Sequence, residues 1–272
     1  MRWVDVFATA PLTGNPLAVV LCATHPPAAA MQALAGEFGL SETVFVASGD
    51  PIHIRTFTPT TEIPMAGHPM VGAAWVLRDE GWIADEAVVN TPAGAIAVRA
   101  GSDGAYIAPP SPRHVTNIDA APLAAALGAV AEGAVPIWNA GLTQVMLPVD
   151  DPTVLTPDHG AIAALGAQDG WDGVSAYRIT QAAPGHVCAE VRHFAAPIGI
   201  DEDPVTGSAA GALGAALAAH HAAEGVLSLT VRQGHRMGRP GEVTVEVAAD
   251  STGTTALWVG GRVLPVMAGR IA

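Results

Sequence analysis

Arg55-Thr56-Phe57, followed by Glu62, Pro64 and Gly67, is written a second time as Arg192-His193-Phe194, followed by Glu202, Pro204 and Gly207. The first three residues match at a shift of 137 and the last three at a shift of 140. Upstream, Gly39-Leu40-Ser41 pairs with Gly173-Val174-Ser175 at a shift of 134. All three shifts lie close to half of the 272-residue chain, so the sequence describes two similar halves whose loops differ by a few residues. Between them, Ala108-Pro109-Pro110-Ser111-Pro112-Arg113 is the natural linker, because closely spaced prolines resist helix and central strand alike. The expected domains are residues 1–112 and 113–272, and whether 261–272 packs back onto the first is left open.

Short apolar or alternating runs bounded by turn residues read as strands throughout, among them Trp3–Phe7, Leu17–Leu21, Ile52–Phe57, Thr143–Pro148 and His186–Phe194. Helix candidates are fewer: Ala28–Phe38, Pro69–Glu80, Pro122–Ala131, Thr156–Leu165 and Ser208–Glu224. Strand and helix do not alternate regularly, which argues for α+β over a doubly wound parallel sheet. Met70–Leu77 and Ala209–Ala219 are apolar on almost every side, so each is expected inside protein. The expected fold is α+β, with two similar domains, each a strand layer wrapped around a central buried helix, and a cleft between them.

Composition removes several classes of function. Half of the residues are hydrophobic and 14% are charged, as in a soluble globular protein. A net charge of −13 without any run of lysine and arginine repels phosphate backbones, so nucleic acid is not an expected partner. The two cysteines, Cys22 and Cys188, lie in apolar strand-like runs and read as small buried hydrophobes of a reducing compartment. Met1-Arg2 leads straight into a strand pattern, so a cytoplasmic location is expected. The uncharged stretch 204–223 is mostly alanine and glycine, and reads as a helix packed inside a domain with no membrane partner.

Each half delivers a strand, a Glu-x-Pro loop and a glycine opening an apolar helix, Gly67-His68 and Gly207-Ser208. A helix start exposes unpaired N–H groups, and its dipole adds roughly 0.3–1 kcal/mol of attraction for an anion such as a carboxylate. Glu42 precedes an apolar strand, and the repeat sets Ala176 against it. Burial would raise its pKa toward neutrality and let it carry a proton both ways, although a lone glutamate also reads as a solvated strand end. Asp203 replaces Ile63, and His68 stands opposite Ser208; dipole compensation and ordinary helix capping are the plainer readings of Asp203, His68 and Ser208. Together Glu42, His68, Asp203 and Ser208 form a candidate proton-transfer group. The ten histidines show no compact metal-ligand spacing, and neither a nucleophile elbow nor a dinucleotide fingerprint is present, so no metal or cofactor is expected.

Five ordered segments carry a family resemblance. They are Val4–Phe7 with Gly14-Asn15-Pro16-Leu17, Leu40-Ser41-Glu42-Thr43, Phe57-Thr58-Pro59 through Pro64-Met65-Ala66-Gly67-His68-Pro69, Glu202 through Gly211, and Gln233-Gly234 with Met237-Gly238-Arg239-Pro240. The sequence resembles the phenazine-biosynthesis PhzF-like isomerases, of the diaminopimelate epimerase-like fold. That resemblance implies cofactor-independent isomerisation of a small carboxylate-bearing substrate in a homodimer. Glu42 is then the acid/base, with His68, Asp203 and Ser208 as its catalytic companions and Asn15, Gly67, Gly207 and Ser208 contacting substrate. Thiol-based relatives carry cysteine before each helix-start glycine, where this chain has Ala66 and Thr206. Met65 and Met70 flank the first helix start and put the phenazine substrate itself in question. The alternatives are a carboxylate-dependent racemase or epimerase of an amino or hydroxy acid, and a non-catalytic small-molecule-binding protein of the same fold.

Overall fold

The computed structural model describes residues 1–221, 225–250 and 253–271. The chain is mixed α/β and divides into two compact units, Met1–Pro109 with Gly260–Ala272, and Pro110–Val259. The break thus falls inside the proline segment.

The first unit runs β1 (Arg2–Val6), β2 (Asn15–Cys22), α1 (Ala28–Phe38), β3 (Thr43–Ala47), β4 (His53–Phe57), β5 (Glu62–Ile63), α2 (Gly67–Asp79), β6 (Glu86–Thr91), β7 (Gly94–Ala100) and β8 (Gly104–Ala108). β1 and β2 pair antiparallel, β3 joins β2 in parallel, and β4 returns antiparallel to β3. Helix α2 packs against β1, β2, β3, β7 and β8, and all ten residues from His68 to Leu77 are buried. Burying its larger side chains, such as Met70, Val76 and Leu77, contributes about 1.5–3 kcal/mol each. Gly72 is required for this close seat, since a Cβ there would stand 2.5 Å from Leu17 Cδ2. Helix α1 lies on the other face of β3 and β4, where Met31 and Ala35 pack on Val20, Phe45 and Phe57.

The second unit repeats this order. After β9 (Arg113–Asp119) and α3 (Ala120–Ala126) come β10 (Ala134–Asn139), β11 (Thr143–Pro148), α4 (His159–Asp169), β12 (Gly173–Ala183), β13 (His186–Ala195), β14 (Ile200–Asp203), α5 (Gly207–His221), β15 (Gly225–Gln233), β16 (Gly241–Asp250) and β17 (Gly253–Ala268). Helix α5 takes the place of α2 and packs on β9, β10, β11, β15 and β16. The expected end of α5 at Glu224 lies outside the described residues. No helix among the described residues is long and apolar enough to cross a membrane.

Strand pairing closes each unit, and in the first the closing strand comes from the far end of the chain. β9, which follows β8 in the chain, pairs antiparallel with β10 in the second unit. The tail of β17 pairs antiparallel with β1 in the first, Val263 opposite Val6 and Ala268 opposite Arg2. Where β17 passes β8 the backbones nearly touch: a Cβ on Gly260 would lie 2.3 Å from Ala105 O, and one on Gly104 2.1 Å from Gly261 O.

Candidate active site

In the first unit, α1 ends at Gly39, a left-handed residue (φ 62°) whose N–H bonds Ala35 O. The chain then turns through Leu40 and Ser41, so Glu42 arrives immediately before β3. His68 is the second residue of α2, whose N-cap, Ala66, offers no side-chain oxygen. The two meet: His68 Nε2 lies 3.5 Å from Glu42 Oε2, with side chains only 7% and 14% exposed. Burial pushes the Glu42 carboxyl up from 4.5 to about 7, with the Ser41 hydroxyl pulling in the opposite direction. Ser41 Oγ also donates to Asn15 Oδ1 at 3.5 Å, and Asn15, first residue of β2, is fully buried. Glu42, His68, Ser41 and Asn15 therefore form one connected group at the start of α2.

In the second unit, Asp203 ends β14, and its Oδ2 accepts from Thr206 Oγ1 at 2.5 Å. Thr206 directly precedes Gly207, which opens α5. The buried Gln233 fixes this turn, its Nε2 donating to Asp203 O (2.8 Å) and Thr206 Oγ1 (3.1 Å) while its Oε1 accepts from Thr206 N. Gly234 follows in the left-handed region (φ 88°), where a Cβ would stand 2.2 Å from Arg239 O and 2.7 Å from Pro204 O. The Gln233–Pro240 segment is thus a clamp on the Asp203 loop. Ser208, second residue of α5, accepts from Gln144 Nε2 at 3.1 Å, and Gln144 is fully buried on β11. Gln144 lies outside every motif of the sequence, whereas Gln233 belongs to the Gln233-Gly234 segment, to which the sequence assigned no role. For Gln144 the available signal was a lone amide opening the apolar run Val145-Met146-Leu147.

The strand register corrects one correspondence. Thr43 faces Phe57 as Val174 faces Phe194, which sets Glu42 against Gly173 and not Ala176. The helix-ending glycine matching Gly39 is Gly170 (φ 73°), bonded to Gly166 O in the same way; Gly173, three residues later, imitates it in sequence. No side chain fits at Gly173, because a Cβ would lie 2.8 Å from His193 Nε2. His193 is bonded to Ser175 Oγ through Nδ1 at 3.0 Å, and burial lowers its pKa from 6.5 to about 4. At this position the repeat therefore carries a buried carboxyl in its first copy alone.

Neither cysteine adjoins these residues in sequence, and both are free thiols, Cys22 half-buried on β2 and Cys188 buried on β13. Among the described residues, no three His, Cys, Asp or Glu side chains are grouped so as to hold a metal ion.

Comparison with known proteins places these groups in context. Residues 4–269 match the family described as phenazine biosynthesis-like protein, PhzC-PhzF. An uncharacterized isomerase of Mesorhizobium japonicum is 34% identical, with 98% of this chain and 96% of that one covered. The trans-2,3-dihydro-3-hydroxyanthranilate isomerase of Pseudomonas fluorescens is also 34% identical, covering 87% and 86%. Among solved structures, a PhzF-family phenazine biosynthesis protein of Bacillus anthracis superposes with a TM-score of 0.86 at 25% identity, covering 98% and 96%.

Proposed function

This chain belongs to the phenazine biosynthesis-like, PhzC-PhzF, family and is an isomerase, and from that premise we propose that it shifts a proton along a small carboxylate-bearing substrate by carboxylate acid–base chemistry, without a cofactor. The observation that carries this reading is Glu42: a buried carboxyl whose pKa lies at about 7, set 3.5 Å from His68. Near neutrality such a group is present in both protonation states, so it serves equally as the base and as the acid. In the proposed cycle, ionised Glu42 takes a proton from a carbon made acidic by a neighbouring conjugated or carboxylate group. The electron pair enters the π system, and the newly formed carboxylic acid returns the proton at a different carbon. His68, Asp203 and Ser208 are proposed to hold polar groups of the substrate. Asn15 and the N–H groups at Gly67 and Gly207 are proposed to help bind it, in the diaminopimelate epimerase-like arrangement of two related halves. General acid–base catalysis supplies about 10²–10⁴-fold of the rate, and the remainder falls to positioning and fixed dipoles.

The test is incubation in deuterated water with cyclic carboxylic acids, trans-2,3-dihydro-3-hydroxyanthranilate first, the substrate named for the Pseudomonas relative. Deuterium at a new carbon, with movement of the double bond, is the expected result. Exchange at one carbon without bond migration would instead show a racemase or epimerase, and binding without exchange a non-catalytic protein. Glu42→Gln is expected to remove turnover by about 10²-fold or more while leaving the fold intact.

A further inference from the structure

The repeat provides an internal control for a second site. Arg55 and Arg192 occupy matching places, each guanidinium over the phenylalanine two residues on, 5.3 and 4.9 Å from the ring centre. Each also uses Nε and Nη2 to grip a glutamate, Glu62 or Glu202. They part at Nη1. Arg192 Nη1 donates to Pro152 O (3.2 Å) and Leu155 O (2.9 Å), both on the ten-residue connection from β11 to α4. The matching connection from β2 to α1 has only five residues, and Arg55 Nη1 meets no acceptor among the described residues.

Beside Arg55 is a cavity of about 260 Å³, whose polar lining is His25, His53, Arg55, Asn90 and Thr91. Among the described residues no acid lines it, although the chain carries a net charge of −13. Glu62, the nearest carboxylate to the guanidinium, has both oxygens taken by Arg55, which hold its pKa below the usual range. His25 Nε2 is engaged with Phe45 O at 3.1 Å, which fixes the ring on the β2–α1 connection. The cavity lies where Ala47 faces His53, the far end of the β3–β4 pair from Thr43 and Phe57, next to which Glu42 sits. It is therefore separate from the acid–base group.

We propose that this cavity is a binding site for a small oxyanion, a phosphate ester or a carboxylate, held by Arg55, His53 and the Asn90 amide. The free guanidinium nitrogen, the His53 imidazole and an amide are the donors that such oxygens require, and charge-assisted bonds such as those from a guanidinium are the stronger class. The volume is below that of pockets for drug-sized ligands, which suits a compact anion.

Calorimetric titration of the full chain at low ionic strength, with inorganic phosphate and separately with succinate, tests the proposal. The expected result is saturable binding of at least one, weakened at least tenfold by His53→Glu and by Asn90→Asp, and unchanged by Glu42→Gln. Phosphate binding alone identifies a phosphate ester as the ligand class, succinate binding alone a carboxylate, and binding of both a general oxyanion site. His53 is exposed and Asn90→Asp keeps its shape, so circular dichroism should show both variants folded. The proposal fails if neither anion saturates below about 10 mM, or if binding responds to Glu42→Gln and not to His53→Glu.

Discussion

Keeping a buried carboxyl group ionised costs folding free energy, and Glu42 bears that cost at neutral pH. Its pKa is raised in the folded state, so between 4.5 and about 7 the native protein binds more protons than the unfolded chain, and stability falls as pH rises. The loss approaches about 3 kcal/mol above pH 7. Glu42→Gln should therefore be inactive yet melt higher than the parent at pH 8, with the difference vanishing below pH 4.5, as thermal melts across that range would show. His193 has the opposite sign. Its pKa is lowered to about 4, so stability is lost as pH falls from 6.5 toward 4, and His193→Asn, which can still accept from Ser175, should flatten that limb. If ionised Glu42 is the base, kcat/KM should drop about tenfold per pH unit below 7. Glu42 was visible in sequence because a charged residue opens an apolar run. Gln144 was not, because an amide in a strand looks ordinary until its hydrogen-bond partners are known; Gln233 stood in a matched segment, but its bonds to Asp203 and Thr206 were not legible there.

The elements show where sequence patterns suffice and where packing overrides them. Helix α1 coincides with the expected Ala28–Phe38, since its left-handed Gly39 is a strong stop. Helix α3 was expected at Pro122–Ala131 but spans Ala120–Ala126. Asp119 caps it by accepting from Ala121 N, and left-handed Gly128 (φ 69°) follows its end. Strand β9 escaped notice because six of its seven residues are exposed, which leaves no apolar alternation, and β10 because it carries Pro136 in its interior. Helical glycines yield a paired prediction. Gly36→Ala on exposed α1 meets only Pro59 O at 3.4 Å and should stabilise by about 0.5–1 kcal/mol through helix propensity. Gly72→Ala on α2 drives a methyl into Leu17 and Val6, and should destabilise by about 1–3 kcal/mol in chemical denaturation. At the clamp, Gly234→Ala is strained both by its left-handed backbone and by Arg239 O, and should lower stability and turnover together.

At the scale of the whole molecule, duplication explains the architecture and the return of the chain's tail to the first unit modifies it. The ion pairs Arg55–Glu62 and Arg192–Glu202 survive in both copies, each with its phenylalanine, which is why those residues made the repeat readable. Pairing across the sheet was not readable, because polar strands such as β9 find their places through backbone hydrogen bonds. Deleting residues 260–271 should leave β1 with an unpaired edge and cause aggregation, detectable by size-exclusion chromatography, whereas surface changes in α1 should not. The same handover sets an order for synthesis. The opening half of the chain leaves the ribosome while the segment that must lie beside its first strand is still about 150 codons from being translated. At 5–20 residues per second that half waits on the order of 10 s with an open flank, a window in which a chaperone or another nascent chain competes for it.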